Sequence, residues 1–379
     1  MLMSLYPIRQ SAPGARRLRG FTLIELMISI SIGLGLLLAL ATVFSNSSIM
    51  QAELTRTSQQ IENGRFATQL LQEDLRHAGF YGRYVAWATK ATVDAVAALP
   101  DPCSTNINTA TASPTPLQSS LIFSVSGYDA PTAAAAATTL TTCGFAAANF
   151  KANTDILVVR RADSKPTAVA SLVGTTTYLQ SVAETMNLIS LAVVSPVIAR
   201  GSTPTAFNLT GGPANDPGEI RRFRVHIYFI SPCSVPSSGT TCDAAADGGV
   251  PIPTLKRLEL AADSTFQIVP LVEGIEDLQI DYGVDTVPGT VGATDPYTGD
   301  GMPDTYTKAP SVAEFTQVTS ARIYVLARST EMSRDYTDTK TYDLGLHGTY
   351  TPTGTAAKYK RHLFATTVRL QNVVGWREK

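Results

Sequence analysis

The sequence predicts an α+β protein: one long N-terminal helix followed by a mainly antiparallel β-sheet with enlarged loops. Three observations predict it. An apolar run from Phe21 to Phe44 passes, with no proline before Pro100, into a stretch of helical spacing that stops near Gly79. Beyond residue 99, proline and glycine become frequent and short alternating segments replace the helical period. One helix and then many strands is the order of an α+β chain, not of repeated βαβ units.

The helix comes first. From Leu26 to Phe44 there are 19 residues without a charge. At about 1.5 Å rise per residue they just span a hydrocarbon core of about 30 Å. Glu25 is the one charge in the apolar run. Arg9, Arg16, Arg17 and Arg19 precede it with no acid among the first 20 residues, so the arginine side is expected to stay cytoplasmic and the C-terminal bulk outside. Past Phe44 the composition turns polar, yet Ala67, Leu70, Leu71, Leu75 and Ala78 keep to one helical face. Glu62, Arg65, Gln69, Gln72, Glu73 and Arg76 fall mostly on the other, and Gly79 suits a C-cap. A single helix over 21–78 would be about 85 Å long. Asn63-Gly64, two poor helix formers inside it, reads as a kink or short break.

The strands follow. Ser120–Val125 and Asp155–Arg160 are strand candidates within an Ala/Thr/Ser-rich region, and 200–218 reads as loop. Arg222–Phe229 alternates strictly, as a half-buried strand would. Further strands are expected at Thr254–Leu260, Phe266–Val269, Leu278–Val284, Arg322–Arg328 and His362–Leu370. Arg221, Arg222 and Arg224 around His226 read as a solvated basic face, with an anion- or partner-binding surface as the lesser alternative.

Composition and motifs exclude several function classes. The formal net charge is -1, and loss of the first 20 residues would take it to -5, so no basic field points to nucleic acid. Cys103, Cys143, Cys233 and Cys242 form no C-x-x-C pair. Behind an export signal an even count reads as two disulfides. Three connectivities are open, and Cys103–Cys143 with Cys233–Cys242 closes the shortest loops. His77, His226, His347 and His362 are isolated in sequence, and no G-x-S-x-G elbow or phosphate loop occurs. No catalytic constellation, cofactor or metal site is therefore expected. The Asp285–Tyr306 segment, with Asp295, Asp300, Gly301 and Asp304, lacks the EF-hand pattern and reads as a solvated turn, with calcium as the lesser alternative.

An acid inside an apolar helix is costly, and it is usually paired or functional. The string Arg19-Gly20-Phe21-Thr22-Leu23-Ile24-Glu25 resembles the class III signal of type IV prepilins. The resemblance implies cleavage by a prepilin peptidase between Gly20 and Phe21, N-methylation of Phe21, and a Glu25 that meets the N-terminal amine of a neighbouring subunit during assembly. The stretches 62–67 and 70–82, together with 252–260, 271–285 and 367–372, resemble the PilW family of minor pilins; 85–215 matches no known pattern. The implied fold is type IV pilin-like. The implied division is a leader at 1–20, a transmembrane and filament-core half-helix at 21–44, an amphipathic half-helix at 45–82 and a β-rich periplasmic head at 83–379. The implied partners are inner-membrane lipid, the major pilin, minor pilins of the PilV, PilX and FimU kinds, and a PilY-type tip adhesin. The implied place is the inner membrane and then the pilus tip. A minor pseudopilin of a type II secretion system, or a filament-borne adhesin using 85–215, are the alternatives.

Overall fold

The computed structural model describes residues 20–84, 97–107, 116–182, 196–211, 216–286 and 299–377. They fall into two compact units that divide between Thr55 and Arg56.

Helix α1 runs from Leu23 to His77 without interruption. Its expected break at Asn63-Gly64 does not occur. Glycine stands there because a Cβ would collide with the Phe364 ring, and the Asn63 side chain donates to the Glu273 carbonyl at 3.1 Å. The pair serves close packing. In the second unit, Gln60, Gly64, Ala67, Leu71, Asp74 and Leu75 are the buried residues of the helix, at steps of three and four. The helix stops where expected: Gly79 adopts the left-handed conformation, with φ of 74°, and donates to the Arg160 carbonyl at 3.0 Å.

The strands are β1 (Val125–Tyr128), β2 (Ile156–Ala162), β3 (Thr177–Ser181), β4 (Val197–Arg200), β5 (Thr210–Gly211), β6 (Asp216–Pro217), β7 (Glu219–Ser231), β8 (Thr254–Leu260), β9 (Phe266–Glu273), β10 (Ile275–Val284), β11 (Thr305–Thr307), β12 (Val318–Arg328), β13 (Tyr342–Asp343), β14 (Thr349–Tyr350) and β15 (Arg361–Arg369). Every pairing among them is antiparallel. A seven-stranded sheet has the path β1-β2-β7-β3-β4, with β8 and then β9 branching from β7; a four-stranded sheet has the order β11-β10-β12-β15. Gly274, at φ of 74°, is the single residue between β9 and β10 and carries the chain from one sheet to the other.

Alternation along the large sheet sorts its side chains between two cores. Leu157, Val159, Tyr228, Ile230 and Leu255 face α1, where Ala67, Leu71, Leu75 and Ala78 meet them together with residues of the smaller sheet. Ile156, Val158, Val225, Ile227, Phe229 and Leu258 face the other way, onto Leu117, Leu121, Leu140, Phe145 and Phe150. The Arg222–Phe229 strand is thus covered on both faces, not half-buried as its alternation suggested. The expected strand at Ser120–Val125 is also corrected: Ser120–Ile122 is a single 3-10 turn that sends Leu121 into the second core, and the strand starts at Val125. The loop expected at 200–218 holds the small β5–β6 pair, with residues 212–215 outside the described part.

Candidate functional site

The N-terminal end of α1 is built by a reciprocal cap. Thr22 precedes the first helical residue. Its Oγ1 accepts from the Glu25 backbone N–H at 3.3 Å, while Glu25 Oε2 accepts from the Thr22 N–H at 2.9 Å and the Thr22 hydroxyl at 2.8 Å. This T-x-x-E box satisfies two helix-start donors and sets a carboxylate at the positive end of the helix dipole. Sequence reasoning singled out Glu25 but missed Thr22, although the capping-box spacing is legible in the prepilin string itself. Gly20 and Phe21 lie before the helix, and a Cβ on Gly20 would meet nothing within 4 Å. Residues 1–19 of the expected leader, with its arginines, lie outside the described residues. From Phe21 to Phe44 every large apolar side chain is more than half exposed. By length and composition this stretch can cross a membrane.

The second unit fastens its share of α1 through one buried carboxylate. Asp74 Oδ2 accepts from His226 Nδ1 at 2.7 Å and from the Tyr228 hydroxyl at 2.9 Å; Oδ1 accepts from Arg161 Nε at 2.7 Å. Helix α1 supplies the acid, β7 the histidine and tyrosine, and β2 the arginine. Burial alone would raise the Asp74 carboxyl, but the His226 and Arg161 interactions outweigh it and hold it below the usual carboxylate range. Burial, and next the Asp74 charge, push the Tyr228 hydroxyl well above its ordinary value. Arg224 forks onto both Asp163 oxygens at 2.9 and 3.1 Å, and Arg221 pairs with Glu219 at 2.6 Å. Of the basic strand face expected to be solvated, Arg221 and Arg224 are spent on these internal pairs, and Arg222 donates to the Leu260 carbonyl at 3.4 Å. A cleft of about 300 Å³ beside Asp74 is lined by Glu73, His77, Arg161, Ser164 and Arg257 among others. The Asp74–His226 pair joins helix α1 to strand β7.

The remaining sequence-derived candidates are placed as follows. Cys103 pairs with Cys143 and Cys233 with Cys242, with Cα separations of 5.3 and 5.7 Å, the connectivity of shortest loops. In the Asp285–Tyr306 segment, Asp300 Oδ1 accepts from Met302 N at 2.8 Å, and Asp304 Oδ2 accepts from Thr286 N at 2.7 Å. Asp285, which is buried, accepts from Gly301 N at 2.9 Å. These carboxylates hold turns by accepting backbone N–H groups; Asp295 lies outside the described residues. The four histidines, isolated in sequence, are not isolated in space. His226 joins Asp74, His362 packs on Phe364 with ring centroids 4.6 Å apart, His77 Nδ1 lies 2.8 Å from the Glu73 carbonyl, and His347 sits among carboxylates.

Two family models match the chain. One, described as Type IV Pilus-assembly protein W, covers residues 239–372, which run from the Cys233–Cys242 loop through β15. The other, described as Prokaryotic N-terminal methylation motif, covers 15–41, the Gly20–Glu25 string and most of the apolar run. The helical stretch 62–82 lies outside both. No curated protein and no solved structure matches significantly.

Proposed function

On the premise that this chain is a PilW-like type IV pilin, we propose that it is a minor pilin which, after prepilin-peptidase cleavage, primes pilus assembly at the filament tip. In this reading 1–20 is the removed leader, 21–44 lies in the inner membrane and later in the filament core, 45–82 is the amphipathic half-helix and 83–379 the periplasmic head. The work is assembly, not turnover. The observation that carries the reading is the apolar face of 21–44, exposed throughout, with Glu25 as its one carboxylate.

The proposed mechanism follows from that face. Each large apolar side chain left in water costs about 1.5–3 kcal/mol, so the segment must remain covered by lipid and then by neighbouring helices. In the single chain the Glu25 carboxylate is held by Thr22. Inside a helix bundle, where few water molecules compete, the charged N-terminal amine of an adjacent subunit is a stronger partner than a neutral hydroxyl. Exchange of one for the other would set the axial stagger between subunits. Minor pilins of the PilV, PilX and FimU kinds, the major pilin and a PilY-type tip adhesin are the proposed partners.

Mass spectrometry of the chain recovered from sheared pili tests the first step. A mature N-terminus at methylated Phe21 is expected, and an intact leader in assembled filaments would overturn the proposal. Deletion should abolish pili and leave protein secretion intact. Lost secretion with normal pili would establish the pseudopilin alternative in its place.

A further inference from the structure

Four segments distant in sequence converge where the two sheets meet. Asp129 follows β1, Asp155 precedes β2, Asp281 lies within β10, and His347 sits in the turn between β13 and β14. One ligand atom each from Asp129, Asp155 and His347 lies within 4.8 Å of the others. His347 Nδ1 is 3.2 Å from Asp129 Oδ1, and its Nε2 is 3.6 Å from Asp155 Oδ2 and 3.6 Å from Asp281 Oδ1. The imidazole is 5% exposed.

The hydrogen-bond inventory of this cluster does not close. Nε2 also faces the Ile280 carbonyl at 3.3 Å, so both ring nitrogens look at acceptors, whereas a neutral imidazole has one N–H. Asp129 Oδ1 and Asp281 Oδ1 are buried and receive no hydrogen bond; Asp281 is 1% exposed and directs that oxygen toward the imidazole. Asp155 Oδ1 and Oδ2 accept from Ala130 N and Ile280 N at 2.9 and 2.8 Å. Lys308, at 3.6 Å from Asp129 Oδ2 and half exposed, answers one carboxylate of the three. Burial pushes the Asp155 carboxyl well above the usual range, and the Asp129 and Asp277 charges add to it. Buried carboxylates in this excess are resolved by protonation or by a bound cation.

We propose that Asp129, Asp155 and His347 form a binding site for one divalent transition cation of the zinc class. Zinc ligands at about 2.1 Å, set at a tetrahedral angle, lie about 3.4 Å apart, close to the separation of Nδ1 from Asp129 Oδ1. With Nδ1 on the cation, Nε2–H donates to the Ile280 carbonyl and Asp281 stands behind it as the orienting carboxylate. The mixed imidazole and carboxylate set argues against calcium or magnesium, which prefer all-oxygen shells. The cation would join the β13–β14 hairpin to the large sheet.

The test uses the full chain in detergent, stripped with chelator and carrying no histidine tag. All four cysteines are in disulfides, so thiolates do not compete. Calorimetric titration should give one Zn²⁺ per chain, with a raised melting temperature. His347→Gln should abolish binding, and Asp129→Asn, at the rim, should weaken it about tenfold or more. Should His347→Gln fail to fold, Asp129→Asn decides. Absence of saturable Zn²⁺ binding in the unmodified chain, or unchanged affinity in Asp129→Asn, overturns the site. Equal binding of Ca²⁺ or Mg²⁺ overturns the zinc-class assignment. Proton release should accompany binding, which should weaken as pH falls.

Discussion

The lengths of α1 on either side of Thr55 have one backbone geometry and opposite ways of being stable. From Leu23 to Thr55 no residue is buried, and the side chains are apolar through Phe44. From Gln60 to Leu75 a buried face recurs every three or four residues, and it includes polar members, Gln60 and Asp74, each with a partner. In the function proposed above, the first length is apolar all round through Phe44 because its solvent is lipid or other helices; the second is amphipathic because one side has a sheet and the other has water. Uniform hydrophobicity therefore signals a partner outside the chain, and periodic hydrophobicity a partner within it.

Substitutions in both lengths break or sharpen this contrast. The largest effect is expected of Glu25→Ala, which should leave insertion and leader cleavage intact and remove the chain from pili altogether. Immunoblots of sheared pili against membranes measure it, and normal incorporation would refute the assembly role. Next, Asp74→Ala strands His226, Tyr228 and Arg161 around an emptied site and should cost about 3–5 kcal/mol, read as a lower denaturation midpoint of the detergent-solubilised chain. Because the Asp74 carboxyl is held below its ordinary value when folded, its stabilisation is complete above its unfolded value of about 4 and declines as pH falls below that. In the chelator-stripped chain Asp155 is raised and works in the opposite sense, losing stability as pH rises from about 4 toward its folded value. Asp74→Asn should therefore flatten the acid limb of a stability-against-pH curve, and Asp155→Asn should steepen it.

Smaller effects follow. Gly64→Ala would gain up to about 1 kcal/mol of helix propensity in an exposed helix, but here the added methyl meets the Phe364 ring and should cost about 1–3 kcal/mol. Pairing it with Phe364→Leu should return part of the loss; strict additivity would show that the contact is not the cause. Least of all, Thr22→Ala should cost about 1 kcal/mol at the helix start. Its value lies in comparison: if Glu25 acts through a neighbour, Thr22→Ala should assemble far better than Glu25→Ala.

Much of this was readable from residues alone where the signal is local. The helix, its stop at Gly79 and the Thr254–Leu260 strand follow from short-range periodicity and turn chemistry. What stayed hidden depends on distant residues meeting. Asp74 and His226 are separated by 152 positions, and nothing near either one announces the other. Arg224 of β7 looked solvated because Asp163 pairs with it only once distant segments meet, whereas the Glu219 partner of Arg221 lies two residues away on the same strand. In the Ala/Thr/Ser-rich stretch before residue 182 the blurred period shows only two strands, near Ser120–Val125 and Asp155–Arg160, yet residues 97–182 carry β1–β3 and most of the second core. His347 and its carboxylates come from four separate segments, a juxtaposition no spacing rule can find.

Strand β7 has a consequence for how the chain reaches its folded form. It is 13 residues long, and its edges are claimed by β2, which precedes it by about 60 residues, by β3, and by β8, which comes after it. No flank of the large sheet can close before this beam is in place. As the polypeptide emerges, β2 waits with both faces greasy and unmatched, and β7 cannot be completed until β8 arrives. Such long-range dependence makes for slow closure and a vulnerable interval, so a holding chaperone at the export site, or a slower rate of delivery, should raise the yield of intact molecules more than any surface substitution.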